Sequence, residues 1–150
     1  MSRFRSVAAV SAAVAGCATL LTAGPAQAVG SVHLYKVYYD SPGSDLGGNA
    51  SLDAEWVQLK NSTATSVSLK GWTLTDASNH RYTFPAVTLK AGAIVAVHTG
   101  KGTNNSAHLY QGRAAYVWNN DKDTATLRRS TGSVQSACSY NSTKVDYKVC

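Results

Sequence analysis

Five oxygen-bearing side chains fall within sixteen residues: Asp40, Asp45, Asn49, Asp53 and Glu55. Carboxylates and amides at that density could hold calcium, which takes about six to eight oxygens and accepts irregular loops. The spacing is not that of an EF-hand, and Asp and Asn are ordinary turn residues, so a solvated loop is the plainer reading. A second group is basic. Lys101, Arg113, Lys122, Arg128 and Arg129 cluster late in the chain, near Tyr110, Tyr116 and Trp118. Cations interleaved with aromatics can hold nucleic acid or an anionic cell-wall polymer. A solvated strand face is again the simpler alternative.

Bond-making chemistry is harder to find. A hydrolase needs a nucleophile, a base and an orienting group within reach of one another. The four histidines, His33, His80, His98 and His108, lie in no Gly-x-Ser-x-Gly, His-Glu-x-x-His or Cys-x-x-Cys setting. Gly100-Lys101-Gly102-Thr103 resembles a phosphate loop only in part. Gly102 stands where Ser or Thr is needed, and Val95 where the first glycine belongs. The expectation is a protein that is not an enzyme and needs no cofactor, calcium being the one candidate. Its partners would be an extracellular protein, an anionic wall polymer or a nucleic acid.

These residues must be carried to their place, and the first 28 say where. Arg3 and Arg5 make a basic start, Ser6 to Leu21 is small and apolar, and Ala26-Gln27-Ala28 offers a cleavage site. That is a secretory signal peptide over residues 1–28. The apolar run is shorter than the ~20 residues of a membrane span. Val14-Ala15-Gly16-Cys17 competes as a lipobox, which would leave a lipid-anchored surface protein instead of a secreted one. Removing 28 residues from 150 leaves 122, enough for one domain, residues 29–150. Arg3 and Arg5 go too, so 12 basic residues face 8 acidic ones, a net charge of +4. Two cysteines remain, Cys138 and Cys150, and in an exported chain they are expected to pair.

Helical periodicity is almost absent from residues 29–150. Short β-prone runs recur about every ten residues: His33 to Tyr39, Trp56 to Lys60, Ser66 to Lys70, Trp72 to Thr75, Tyr82 to Phe84, Ala93 to Thr99, Ala115 to Trp118, Thr124 to Arg128 and Ser133 to Ser136. Gly, Asn and Pro punctuate them. The pattern is that of an all-β sandwich or barrel. Val57 with Leu59, Val67 with Leu69, Trp72 with Leu74, and Val95 with Val97 alternate, so each pair aims at one face. The aromatic strands read as core, with Trp56 and Trp72 filling it from two sides, and Gly71 turning the chain before Trp72.

Five pieces in order carry a family likeness: Glu55-Trp56-Val57, Leu69-Lys70-Gly71-Trp72-Thr73-Leu74-Thr75-Asp76, Tyr82-Thr83-Phe84-Pro85, Leu89-Lys90-Ala91-Gly92, and Trp118-Asn119-Asn120 with Asp123-Thr124 and Leu127. Together they resemble the lamin tail domain, and the signal peptide and terminal cysteine pair look like its secreted bacterial branch. The resemblance implies an immunoglobulin-like β-sandwich of a single domain that binds and does not catalyse. No heptads are present, so the coiled-coil rod of lamins is missing. Since a secreted home is not a nuclear one, nuclear partners are not implied. A tethered adhesion domain and a small exported hydrolase or inhibitor are the alternatives.

Overall fold

In the computed structural model, residues 30–150 are described. The signal peptide, its cleavage site and Cys17 lie outside them. Eleven short strands and one helical turn follow in order: β1 (Val32–Tyr38), α1 (Asn49–Ala54), β2 (Trp56–Asn61), β3 (Val67–Ser68), β4 (Thr73–Thr75), β5 (Arg81–Thr83), β6 (Thr88–Leu89), β7 (Ile94–His98), β8 (His108–Tyr110), β9 (Lys122–Arg128), β10 (Val134–Asn141) and β11 (Tyr147–Val149). They form a five-stranded sheet, β11-β1-β2-β7-β8, a four-stranded sheet, β10-β9-β4-β5, and a small β3-β6 clip. All pairings are antiparallel except β7 with β8. The architecture is an immunoglobulin-like sandwich.

Period-two alternation builds the core. Val57 and Leu59 on β2, Val95 and Val97 on β7, Leu74 on β4, and Ala125 and Leu127 on β9 all point between the sheets and are almost fully buried. Trp72 and Trp118 join them at 8% and 2% exposure. The step into Trp72 needs Gly71, whose φ of +77° lies in the left-handed region that a side chain disfavours. Its N–H donates to Phe84 O at 3.0 Å, and the Trp72 N–H to Leu69 O at 2.9 Å.

Several expectations give way. Trp56 is not in the core. With Glu55, Val57 and Leu59 inward, a period of two turns Trp56 outward, where it is half-buried. Ala115 to Trp118 is not a strand but an irregular segment whose Val117 and Trp118 plug the end of the sandwich. Only Val67–Ser68 of the run from Ser66 to Lys70 pairs. β6, β8, β11 and α1 carry no legible sequence signal. The Cys138–Cys150 disulfide is present. It ties β10 of one sheet to the residue following β11 of the other, so it fastens the two sheets together and not merely a hairpin.

Candidate functional site

One strand irregularity shapes the outer face of the five-stranded sheet. β1 carries a bulge between Leu34 and Lys36, so Tyr35 is an extra residue against β2. A regular strand would aim Lys36 and Tyr38 inward with Leu34. The bulge resets the alternation: Leu34 and Val37 are buried, and Tyr35, Lys36 and Tyr38 lie outside, half-buried.

Tyr38 then becomes part of a row. Tyr147, Tyr38, Trp56, His98 and Tyr110 are successive cross-strand partners on β11, β1, β2, β7 and β8. One ring per strand crosses the whole sheet, about 19 Å at ordinary strand spacing. The ring centroids of Tyr38 and Trp56 are 5.2 Å apart with planes 26° from parallel; Tyr38 and Tyr147 are 6.1 Å apart at 17°, and His98 and Tyr110 4.9 Å apart at 18°. Near-parallel rings this close turn their faces to one another and their edges outward. The Lys36 ammonium sits 3.8 Å from the Tyr147 centroid, with Trp56 and Tyr38 at 5.6 and 5.9 Å, a cation–π clamp on that end of the row. Burial, with Asp146 beside it, raises the pKa of the Tyr38 phenol, which therefore stays a neutral donor.

The other end is held by hydrogen bonds. His98 Nδ1 lies 2.6 Å from Asp53 O and its Nε2 lies 2.9 Å from His108 Nδ1. A carbonyl only accepts, so His98 Nδ1 carries a proton. A neutral His98 then accepts at Nε2 from His108. Gly102 lies so close to the Tyr110 ring that a Cβ there would overlap it, which seats the loop 101–107 against the ring.

Below this face, Glu55 is fully buried. Its Oε1 accepts from Thr99 Oγ1 at 2.5 Å and Val117 N at 2.9 Å, while Oε2 has no partner among the described residues. Burial raises its pKa to about 7, opposed by the donors from Thr99, Val117 and Trp118. Glu55 therefore anchors the irregular segment that carries Trp118 and is not open to a ligand.

The acidic loop does not assemble as a calcium site. Asp40 and Asp45 both accept from Asn120 Nδ2, at 3.1 and 2.7 Å. Asp53 instead accepts from Asn49 Nδ2 at 2.9 Å, beside Gly100. Glu55 faces the core. The ligand set splits three ways, and among the described residues no three His, Cys, Asp or Glu side chains gather around a common point. Asp123 serves a turn, accepting from the N–H groups of Ala77, Asn119 and Thr124. His80 pairs with Asp76 across four residues, Nδ1 to carboxylate at 2.6 Å.

The basic residues also part company. Lys122 and Arg128 stand at opposite ends of β9, about 20 Å apart. Arg128 and Arg129 lean on the β9–β10 turn, donating to Gly132 O and Gln135 Oε1. Arg113 donates to Arg81 O and Gln111 Oε1, and Lys101 has its backbone clamped by the Asn49 side chain. The segments of Lys101 and Arg113 run side by side, Gly112 N donating to Gly100 O and Arg113 N to Thr99 O, while Lys122 stands a strand's length from Arg128. Asn61, the head of a glycosylation sequon, is wholly buried and donates to Thr65 O and Leu89 O.

The immunoglobulin-like sandwich with a buried Glu at the start of β2 and Trp72 after a left-handed glycine defines a structural class of β-sandwich modules. The chain belongs to the lamin tail domain family, whose model matches residues 25–142. No curated protein matches it.

Proposed function

We propose that the chain is an exported, non-catalytic module that binds a protein partner through the outer face of its five-stranded sheet. Residues 1–28 act as the signal peptide, and residues 29–150 as the secreted domain. The observation that carries the reading is the row Tyr147–Tyr38–Trp56–His98–Tyr110, five rings outside the core where the fold requires none. Tyrosine and tryptophan give a contact surface large rigid area with polar tips, the composition favoured at protein interfaces. Rings that already stack on one another offer edges, whereas bases and sugar rings are gripped by open faces.

Trp56 makes this measurable, because Trp72 and Trp118 are buried. Collisional quenching of tryptophan fluorescence in the processed protein reports mainly Trp56. An extracellular protein fraction should shield it, and protease treatment of that fraction should abolish the shielding. Shielding by purified wall polymer or DNA alone would overturn the choice of a protein partner. Capture that survives both Tyr38→Ala and Trp56→Ala would remove the face from consideration.

A further inference from the structure

The five-stranded sheet ends on β11, and among the described residues nothing pairs with its outer edge. The antiparallel register pairs Val37 with Lys148, Tyr38 with Tyr147 and Lys36 with Val149. Asp146 O accepts from Tyr39 N at 2.9 Å, and Cys150 N donates to Tyr35 O at 3.0 Å. Alternation therefore turns the backbone groups of residues 146, 148 and 150 toward β1, and those of 147 and 149 toward the open edge; ahead of β11 the Val145 carbonyl is turned inward, accepting from Tyr39 Oη at 2.6 Å. The same segment is the most apolar exposed stretch of the sheet: Val145, Tyr147 and Val149 are 50%, 44% and 57% exposed. The β10 edge of the other sheet is different. There β10 is stitched to β1, with Gln135 Nε2 donating to Val32 O and Ser136 Oγ accepting from Leu34 N.

An edge with free backbone donors and acceptors is a template for another strand. The sequence of this one selects which. Val145-Asp146-Tyr147-Lys148-Val149 is self-complementary when read antiparallel about Tyr147. In that register Tyr147 faces Tyr147 of the second copy, Asp146 faces Lys148, Lys148 faces Asp146, and the two valines face each other. Tyr147, which would exchange both backbone hydrogen bonds with Tyr147 of the second copy, points its groups outward, as does Val149. Centring the pairing on Lys148 instead would set lysine against lysine, which cross-strand pairing disfavours.

We infer that two copies of the chain join edge to edge through β11 about a two-fold axis at Tyr147. The interface is isologous, with the same patch on both copies. It fuses two five-stranded sheets into one of ten strands, and the two aromatic rows meet at the Tyr147 pair. A strand this short buries less surface than a standard interface, so the association is reversible and concentration-dependent.

Sedimentation velocity on the processed protein over a concentration series tests this. The expected result is a monomer–dimer equilibrium. Lys148→Asp and Asp146→Lys should each weaken it by about tenfold or more, since each replaces two attractive cross-strand pairs with two repulsive ones. Neither variant should self-associate, yet a one-to-one mixture should, because the paired lysines of one copy then face the paired aspartates of the other. The double exchange Asp146→Lys/Lys148→Asp should restore the homodimer. Val149→Pro sets a proline ring on the pairing edge and removes an outward N–H without touching the β1 ladder, and should abolish it. A monomer at every concentration would overturn the inference, as would a dimer indifferent to both charge reversals or a mixture that stays monomeric. A charge variant that failed to fold would show itself in failing to pair in the mixture while losing its circular dichroism, and Val149→Pro then decides.

Discussion

The two sheets face each other with interchangeable aliphatic surfaces and face the solvent with unlike ones. Outside the four-stranded sheet stand Thr73, Thr83, Thr124, Thr126 and Ser139, with Arg81, Lys122 and Arg128 toward its margins and no aromatic ring among them. Outside the five-stranded sheet stand Tyr147, Tyr38, Trp56, His98 and Tyr110. Both arrangements are compatible with the same sandwich. The fold therefore dictates the inward positions and is indifferent to the outward ones. An aromatic concentration on one outer face has to be explained by what that face meets.

The sharpest way to break this contrast is to cross the boundary between inside and outside. Trp118→Ala empties an inward position at 2% exposure, and equilibrium denaturation should show a loss of about 3–5 kcal/mol. A loss under about 1 kcal/mol would mean that the segment 115–118 is no part of the core.

Glu55 adds a pH signature to the inward side. Its folded-state pKa of about 7 exceeds the ordinary value of 4.5, so the native state holds the proton more tightly than the unfolded chain does. The corresponding stability is complete below the unfolded value, falls as pH rises between the two, and is gone above about 7. By linkage the difference is about 3 kcal/mol. Denaturation midpoints should thus drop between about pH 5 and pH 8 in the native protein, and Glu55→Gln should flatten that slope. An unchanged slope in the variant would transfer the effect to another group.

The smallest effect on stability belongs to the outward side. Trp56→Ala removes one stacked ring and its share of the Lys36 clamp, so the cost should be about 1 kcal/mol, with partner binding lost. A cost near that of Trp118→Ala would erase the distinction between the faces.

Much of the sandwich was legible because alternation writes inward residues directly into the sequence. Val57 with Leu59 and Val95 with Val97 needed no structure. The same alternation already excluded Trp56 from the core, but its size and its place in the Glu-Trp-Val motif argued the other way, and parity won over bulk. β6, β8 and β11 are two or three residues long, too short for any period to show, and α1 is a single turn and a half. Ala115 to Trp118 looked like a strand because buried apolar residues look alike whether a ladder or the Glu55 carboxylate holds them. The aromatic row was beyond sequence reading, since its members stand at positions 38, 56, 98, 110 and 147 and become neighbours only through register. The reverse held for the acidic loop, where the fold turns Asp53 and Glu55 away from Asp40 and Asp45, and for Lys122 and Arg128, set at opposite ends of β9.

The bulge at Tyr35 has a consequence for how the chain can change in length. On its two sides the inward residues differ in parity: Val32 and Leu34 are even-numbered, Val37 and Tyr39 odd. Loss of Tyr35 would leave a plain strand in which all four still face the core and Lys36 and Tyr38 still face out. Loss of Lys36 would do the same with Tyr35 in its place, whereas loss of Val37 would close the bulge only by turning Lys36 inward. β1 therefore has one place, the pair Tyr35–Lys36, where a codon can be lost without exchanging the inside of the molecule for its outside.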